Sequence, residues 1–405
     1  MHTKDYKVIV IGGNHQNPLG VVESLAKEGI RPYVIIYDDC KSSFVLKSRY
    51  ISKGFICPTP ASAIQKILDI TANEEEKAVV IACSDNASLL INQYLDILTP
   101  FCYLPTIPIQ DEMEKWMDKE QMDKVAVNVG LNVPQTWIIV KDSPIPSDIE
   151  YPVVTKSLTS VGLGKAEFTI CANEDELKNF VESQMKSDKI QVQKYIEKEY
   201  EFQFIGCSFH EGKDVIIPGR TYIENATHFN NLTFLKYQER KVIEGTTTLL
   251  KTESFIEQTG YSGLFSVEYM HGKDGKDYFL EMNFRNDGNA FVVTQAGANL
   301  PYLWYLSCIG EDYRSYYDED KVTAACFLPE DSFFLSMLSG NISYKEWRMK
   351  MKEATCFASY FKGDTKPFWS LIWWQKRAFF LAAFFRLLQC LHLYNLAQRI
   401  KHLGR

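Results

Sequence analysis

Residues 264–285 read Leu-Phe-Ser-Val-Glu-Tyr-Met-His-Gly-Lys-Asp-Gly-Lys-Asp-Tyr-Phe-Leu-Glu-Met-Asn-Phe-Arg. Two runs of strand-forming residues flank a polar, glycine-containing turn, a pattern that predicts a β-hairpin. Glu281 and Asn283 are two positions apart and share one side of their strand, and pairing of the strands brings Glu268 near them. Two carboxylates and an amide supply oxygen ligands suited to Mg²⁺. The alternative is an edge hairpin whose polar side chains face solvent.

A second informative stretch lies upstream. Residues 151–156 read as a strand ending in Lys156, and residues 157–165 form a loop rich in small residues. Ser157, Ser160, Gly162 and Gly164 leave room for backbone N–H groups to close over phosphates, while Lys156 adds a positive charge beneath them. The loop does not match the Walker A pattern. The alternative is an ordinary flexible hairpin loop.

The first hundred residues alternate between strand and helix patterns. Residues 6–11, 33–37 and 78–82 are buried-strand runs, and helical patterns follow the first of them and span residues 61–72. This alternation predicts a parallel sheet, which receives ligands at the carboxyl ends of its strands. The first turn, Gly-Gly-Asn-His-Gln-Asn-Pro-Leu-Gly, is not a GxGxxG dinucleotide motif.

In order and spacing, these elements resemble the ATP-grasp superfamily, which includes biotin carboxylase, carbamoyl-phosphate synthetase and D-alanine–D-alanine ligase. Five ordered segments carry the resemblance: Asp118-Lys119 before a break at Gly130, the strand and glycine loop of residues 152–164, Val192-Gln-Lys-Tyr-Ile196, an acidic residue at Glu201 or Glu199, and Glu268 followed thirteen residues later by Glu281-Met-Asn-Phe-Arg285. The resemblance covers roughly residues 4–308. Within the superfamily the chain is most similar to carboxylate–amine ligases of the D-aspartate-ligase type.

The resemblance implies a role for each matching residue. Lys119 and Lys156 contact the phosphates of ATP beneath the loop, and Arg285 lies beside the γ-phosphate or the acylphosphate, so that Arg285 and Lys156 are the candidate catalytic residues. The adenine pocket is lined by the backbone of Gln193, Lys194, Tyr195 and Ile196, the ribose is held by Glu201, and one or two Mg²⁺ (or Mn²⁺) are held by Glu268, Glu281 and Asn283.

The reaction implied is the ATP-dependent joining of a carboxylate to an amine, an amino acid or a cell-envelope precursor, through an acylphosphate, with release of ADP and phosphate. Two alternatives are an ATP-grasp enzyme with a non-amine acceptor and a non-catalytic ATP-binding protein.

The sequence departs from the family pattern in two places. The hinge position usually filled by Glu is Lys194, and Ser266 stands where several relatives carry an Arg two residues before the first metal ligand. Arg220, Lys236 and Arg240 are the candidates for that missing positive charge. Residues 220–228 are rich in polar side chains. We expect them either to determine substrate specificity or to form an ordinary solvated loop.

The expected fold class is α/β plus α+β. We expect a parallel pre-ATP-grasp domain at residues 1–112 and an ATP-grasp domain at residues 113–310, made of two α+β subdomains that clasp ATP, with the lid at about 150–200. Residues 311–405 are expected to form a C-terminal adaptor followed by basic, aromatic, amphipathic helices.

Charge is distributed unevenly along the chain. The net charge of the 405 residues is −7, which argues against a general nucleic-acid-binding protein. Residues 365–405 contain seven Lys or Arg and no Asp or Glu, so residues 1–364 carry −7 − 7 = −14. The basic segment is also rich in Trp and Phe, but its longest stretch without Lys or Arg is twelve residues, too short to span a membrane.

Two interpretations of residues 366–405 are therefore open: peripheral contact with an anionic membrane surface, or packing on the acidic body or in a homodimer interface. The ten Cys form no CxxC pair, and the amino terminus lacks a signal-peptide pattern. We expect a cytoplasmic protein, at the inner face of the cytoplasmic membrane if the basic segment binds lipid.

Overall fold

The computed structural model describes residues 6–156, 169–183, 185, 188–224 and 234–390. Three sheets organise these residues: a parallel sheet near the amino terminus, a small antiparallel sheet, and a large mixed sheet, called here the central sheet. The expected combination of α/β and α+β structure is confirmed. The predicted domain boundaries stay predictions.

The parallel sheet confirms the expectation drawn from the alternating pattern. Its five strands lie in the order Lys53–Ile56, Tyr33–Ile36, Val8–Gly12, Ala78–Ala82 and Cys102–Tyr103. The two strands at the centre are buried along their whole length, as expected when helices cover both faces of a parallel sheet.

The small sheet is antiparallel. Its strands lie in the order Thr136–Val140, Lys189–Lys194, Val153–Lys156 and Thr169–Cys171. Helix Glu174–Ser183 packs on it through Leu177, Phe180 and Val181. The chain leaves this sheet at Lys194 and enters the central sheet at Lys198, so residues 195–197 form a short hinge between the two sheets.

The central sheet has eight strands. Seven lie in the order Asp277–Asn283, Gly263–Gly272, Lys198–Phe209, Gly219–Glu224, Phe234–Glu239, Ala325–Leu328 and Cys356–Phe357, and Asp214–Ile216 pairs with Lys198–Phe209. The register places Thr221, Gln203, Glu268 and Glu281 in one row across four neighbouring strands. Side chains that are directly opposite each other point to the same side of a sheet, so this row presents its polar groups together.

The helices fill the spaces around the sheets. Their bounds are Gln16–Ala26, Pro60–Thr71, Asp85–Gln93, Leu95–Leu98, Met113–Trp116, Lys119–Asn128, Glu174–Ser183, Thr247–Thr259, Phe291–Ala296, Leu300–Cys308, Tyr313–Tyr316, Glu330–Ser339, Tyr344–Glu353 and Lys366–Cys390, with 3₁₀ turns at Val45–Lys47, Arg240–Val242 and Glu319–Lys321. Residues 113–128 form two helices, and Asp118 caps the second one by accepting from the N–H of Gln121 at 3.0 Å.

The C-terminal helix, Lys366–Cys390, differs from the expected amphipathic pattern. Its aromatic and basic residues do not lie on opposite sides, since Trp373, Phe380, Lys376 and Arg377 are all exposed. The reason is that the opposite side of the helix, which includes Leu371, is buried against the body of the protein. Within the described residues, no helix has the length and apolar character needed to cross a bilayer.

Candidate functional site

The predicted hairpin is confirmed, and it brings the three predicted metal ligands together. Strands Gly263–Gly272 and Asp277–Asn283 are antiparallel, with Glu268 directly opposite Glu281. A register irregularity follows Glu268, between Glu268 and Tyr269. The amide of Asn283 donates to Oε1 of Glu268 at 3.2 Å, so all three side chains lie on one side of the sheet.

Two facing carboxylates repel each other unless positive charge lies close to both. Burial, reinforced by the neighbouring Glu281 and Asp287 carboxylates, raises the pKa of Glu268. A divalent cation between the two glutamates would remove that repulsion, so Glu268 and Glu281 fit a Mg²⁺ site. Asn283 fits it less directly, because its amide oxygen accepts from Arg285 at 3.1 Å.

The candidate metal site has few protein ligands. Across the part of the chain that the structure describes, no three His, Cys, Asp or Glu side chains are grouped as a metal-binding cluster. Mg²⁺ is typically held by one or two carboxylates together with water and phosphate oxygens. The hairpin therefore suits a cation that arrives with a phosphate ligand better than a permanently bound structural ion.

Lys119 lies beside the same hairpin. The side chain of Asp118 starts helix Lys119–Asn128, and this places Lys119 at its first position, with Nζ 3.3 Å from Oε2 of Glu281. The helix ends at Asn128, and Gly130 follows two residues later with a φ of +82°, which suits glycine. Residues 131–135 then lead to the small sheet. The predicted Asp-Lys and glycine break thus bracket one helix that delivers an ammonium group to the carboxylates.

Arg285 is held in place by groups from two distant parts of the chain. Its Nε donates to Oδ1 of Asp85 at 2.8 Å, its Nη2 to Asn283, and its Nη1 to the carbonyl of Asn286 at 3.3 Å. Asp85 is the first residue of a helix that follows the parallel strand Ala78–Ala82. The guanidinium therefore lies where the carboxyl end of the parallel sheet meets the central sheet.

Several polar residues around Glu268 and Asp287 are not among the residues predicted from the sequence motifs. Gln203 donates to Glu268 at 3.0 Å, and Ser266 donates to Asp287 at 2.9 Å. The amide of Asn289 lies 3.4 Å from the side-chain oxygen of Gln203. The available signals were the position of Gln203, two residues after Glu201 on one strand, and the run Asn-Asp-Gly-Asn directly after Arg285.

His15 also approaches this region from the first turn of the parallel sheet. Burial lowers the pKa of His15, and the positive charge of Arg285 lowers it further, so the ring favours its neutral form. Its Nδ1 accepts from the N–H of Asn17 and caps helix Gln16–Ala26. The start of this helix therefore lies beside the residues that follow Arg285, since the amide of Asn17 donates to the carbonyl of Asn286.

A cleft of about 690 Å³ lies at the hinge between the small and central sheets. It is lined by residues 133–135 and 194–197 and by Lys273, Asp274, Lys276 and Tyr278. Lys194, Tyr195 and Ile196, which were predicted to bind adenine, are therefore on its wall. We call it the hinge cleft.

The other two predicted nucleotide contacts lie close to the hinge cleft. The side chain of Gln193 donates to Thr136 within the small sheet at 3.2 Å, which leaves its backbone as the part predicted to contact adenine. Glu201 forms an ion pair with Lys198 at 2.8 Å, near the start of the strand that follows the hinge. Glu199, the alternative to Glu201, lies 4.0 Å from Nε2 of His271.

The predicted phosphate loop can be followed only in part. Lys156 ends strand Val153–Lys156 and is paired in register with Gln191 of the neighbouring strand, Lys189–Lys194. Ser157, Ser160, Gly162, Gly164 and Lys165 lie outside the described residues, as do residues 225–228 of the polar segment.

The described arrangement does not bring Arg220, Lys236 or Arg240 to the predicted metal ligands, so their contact with substrate or phosphate stays a prediction. Arg220 is opposite Phe204 in the sheet, one position out of step with the Gln203–Glu268 row, and therefore points to the other side. Its guanidinium stacks there on Phe202 and donates to Gln238 at 2.8 Å.

The two other candidates are engaged elsewhere. Lys236 is opposite Tyr222, on the same side as Arg220, and its Nζ lies 3.7 Å from Glu353. Arg240 binds Glu253 at 2.9 Å and the carbonyl of Ile217. In the described residues, Lys119 and Arg285 are thus the cations that the structure brings to Glu268, Glu281 and Asn283.

No protein-family model and no curated protein matches this sequence. Among solved structures, an L-amino acid ligase from Bacillus licheniformis aligns with a TM-score of 0.59 and 16% identity, over 80% of each chain. The biotin carboxylase domain of Hydrogenobacter thermophilus 2-oxoglutarate carboxylase, in complex with MgADP, ADP and bicarbonate, aligns with a TM-score of 0.59 and 17% identity, over 80% of this chain and 74% of that one.

N5-carboxyaminoimidazole synthetase from Staphylococcus aureus, complexed with ADP, gives the same TM-score of 0.59 at 16% identity, over 76% of this chain and 79% of that chain. Biotin carboxylase is one of the enzymes that the motif order resembles, so the structural and sequence likenesses point to one architecture. At this level of identity the likeness concerns the fold, and we conclude that the chain has the ATP-grasp fold.

Proposed function

We propose that this protein is an ATP- and Mg²⁺-dependent ligase that activates a carboxylate as an acylphosphate and joins it to an amine, releasing ADP and phosphate. The observation that carries the proposal is the convergence of Glu268, Glu281 and Asn283 with Lys119 and Arg285 on one side of the central sheet. Proteins of the same fold, solved with ADP or MgADP, support a nucleotide site.

The proposed reaction has two steps. A carboxylate oxygen of the substrate attacks the γ-phosphorus of ATP and ADP leaves. The amine nitrogen then attacks the acyl carbon, loses its proton and expels phosphate. Phosphoryl transfer asks the protein mainly for positioning and charge neutralisation, which is what a fixed arginine and a lysine supply.

The residues have separate tasks in this proposal. The hinge cleft receives the adenine, with the ribose toward Glu201, and Lys119 and Lys156 neutralise the phosphates. Arg285, held by Asp85, has little freedom to turn away and stabilises the transferred group. When bound between Glu268 and Glu281, Mg²⁺ would supply charge neutralisation to the phosphate oxygens.

The loop of residues 157–165 is proposed as the lid. An acylphosphate hydrolyses if water reaches it, so a cover over the phosphates is needed for transfer to an amine. Lys156, at the end of its strand, connects this loop to the small sheet.

The experiment is ADP release with pooled amino acids, with and without Mg²⁺, followed by mass spectrometry of the product. We expect Glu281→Ala and Lys156→Ala to abolish ADP release with an unchanged circular dichroism spectrum. Lys124→Ala is the matched control, because Lys124 is exposed and pairs with Glu120 on the outer surface of the helix that carries Lys119.

Other results would contradict the proposed site or change the proposed class of protein. Normal turnover in either variant contradicts the proposed site. Release of ADP with a product in which the carboxylate is joined to a group other than an amine identifies a non-amine acceptor. ATP binding without any ADP release in the wild type identifies a binding protein.

The location of the reaction is part of the same proposal. We place it in the cytoplasm, where ATP is available and where thiols stay reduced. In the part of the chain that the structure describes, nine Cys side chains form no disulfide. Homodimer formation stays a prediction, as does the contact of residues 366–405 with membrane.

A further inference from the structure

The outer side of the C-terminal helix carries a continuous strip of aromatic and basic side chains. Trp369, Trp373, Lys376 and Phe380 follow a spacing of four, three and four residues, so they lie on one side of the helix. Trp373 is 70% exposed and Phe380 71% exposed. Arg377 lies beside them and is also exposed. These five residues are called here the outer strip.

The inner side of the same helix is fixed to the body of the protein. Leu371 and Phe379 are buried, and the ring of Phe379 meets Phe334 edge-on at 5.4 Å. Gln375 donates to Asp331 at 3.0 Å. The helix therefore has its structural contacts already, and the outer strip is not needed to hold it in place.

Large aromatic side chains beside basic ones are unusual on a helix side that binds nothing. Large aromatic residues on a surface mark contact with another protein or with a membrane. Trp combines an apolar ring with an N–H donor and suits the boundary between acyl chains and headgroups. The ammonium of Lys376 lies 3.7 Å from the ring centre of Trp373, so the strip's charge and its aromatic surface are adjacent.

Charge decides which partner the outer strip fits. The helix has no Asp or Glu, whereas residues 1–364 carry −14. An anionic bilayer attracts Lys and Arg at its surface and repels the acidic body, so it would orient the molecule with the helix toward the lipid. Packing of two outer strips against each other would instead bring Lys376 and Arg377 of both copies together.

We propose that the outer strip binds the surface of an anionic lipid bilayer, with the helix lying in the plane of the membrane. Trp369, Trp373 and Phe380 enter the boundary between headgroups and acyl chains, and Lys376 and Arg377 contact the anionic headgroups. This proposal concerns a surface outside the candidate active site and does not rest on the proposed ligase chemistry.

The test is flotation of the full-length protein with phosphatidylcholine vesicles, and with vesicles of phosphatidylcholine and phosphatidylglycerol. We expect binding to the anionic vesicles alone, and a blue shift of Trp fluorescence on binding. Lys376→Glu/Arg377→Glu is expected to lower the partition coefficient at least about tenfold, since each basic residue near an anionic surface contributes about 1 kcal/mol. Trp373→Ser/Phe380→Ser should lower it as well.

The matched control is Lys115→Glu/Lys124→Glu, which changes the net charge by the same amount on exposed residues of two other helices. This control should float like the wild type. Failure of the wild type to bind anionic vesicles overturns the proposal, as does equal binding by the outer-strip and control variants.

A separate outcome identifies a protein partner. If the outer-strip variants turn a dimer into a monomer on gel filtration and vesicles do not bind, the strip is a dimer interface and the lipid proposal is wrong. ADP release, measured on the same samples, keeps the two proposals apart: a chain that floats but releases no ADP contradicts only the ligase.

Discussion

The carboxylate of Asp85 accepts a hydrogen bond from Nε of Arg285 at 2.8 Å, although 200 positions of sequence separate the two residues. Asp85 begins a helix of the parallel-sheet region, and Arg285 follows the last strand of the metal-ligand hairpin. Burial lowers the pKa of Arg285, but the carboxylates of Asp85 and Asp287 outweigh burial and raise it, so the guanidinium stays charged. The pair joins the two regions at the proposed site of phosphoryl transfer.

Asp85→Ala should slow catalysis without weakening ATP binding. Loss of the carboxylate frees the guanidinium to adopt other orientations, and a hydrogen bond between charged groups contributes about 1.5–3 kcal/mol, or about 10- to 100-fold in kcat. The measurement is steady-state ADP release, in which the KM for ATP should change little. Asp85→Asn keeps an acceptor oxygen and should retain more activity than Asp85→Ala, and equal rates in all three proteins would exclude a positioning role.

Lys119→Met should weaken ATP binding. The ammonium lies 3.3 Å from Glu281 and is proposed to contact the phosphates. Its removal therefore leaves less positive charge to neutralise the carboxylates and the phosphates. We expect the KM for ATP to rise about 10- to 100-fold, because this is the loss of affinity expected when one charge-assisted contact is removed. Lys124→Met, on the exposed side of the same helix, is the control; similar KM values in both variants would argue against the assignment.

Glu268→Gln should separate metal binding from folding. In the absence of Mg²⁺ the substitution removes a partly buried carboxylate from beside Glu281, so thermal stability should be unchanged or slightly higher. Mg²⁺ with ADP should stabilise the wild type, by about 2.7 kcal/mol at a hundredfold excess over Kd, and the variant should lose most of this gain. Thermal unfolding with and without Mg²⁺ and ADP gives both results. Glu114→Gln, at an exposed position, is the control, and a full Mg²⁺ response in Glu268→Gln would place the metal elsewhere.

Glu23 makes stability depend on pH. It is buried against Asp364, and burial together with that carboxylate raises its pKa from 4.5 to about 8. The folded state therefore binds a proton that the unfolded state releases. The stabilisation is fully present below about pH 4.5 and is lost as the pH rises toward about 8. Within the described residues, Oε1 of Glu23 has no hydrogen-bond partner, as expected for a carboxyl group that is protonated in the folded protein.

The test of this pair is urea unfolding of the wild type and Glu23→Gln from pH 5 to about pH 8. Gln can donate to Asp364 at every pH, so the stability of the variant relative to the wild type should increase with pH, by at most about 1.4 kcal/mol per unit. Glu75→Gln, at an exposed position, should show no such trend. A stability difference for Glu23→Gln that does not change with pH would contradict the shifted pKa.

Much of the hairpin could be predicted from local sequence. Alternation places Glu281 and Asn283 on one side of a strand, and the glycine-containing turn places Glu268 opposite them. Asp118 and Gly130 likewise mark the ends of one helix through capping and a positive φ. Such features depend on residues close in sequence, so spacing alone identifies them.

The other site contacts depend on register and on distant packing. Gln203 reaches Glu268 because the third strand of the central sheet pairs at one particular register, and a shift of one residue would turn Gln203 to the other side. That same register turns Arg220 away from the carboxylates, which the sequence of one strand could not show.

The sequence by itself determined the order of the elements and the ligand-type residues of this protein, because helix and strand periodicity and end signals are local. Only the tertiary structure decided that Asp85 holds Arg285, that Gln203 supports Glu268, and that the outer strip is the exposed side of its helix. These three facts follow from which surfaces are buried against each other, and burial is set by contacts between segments far apart in the chain.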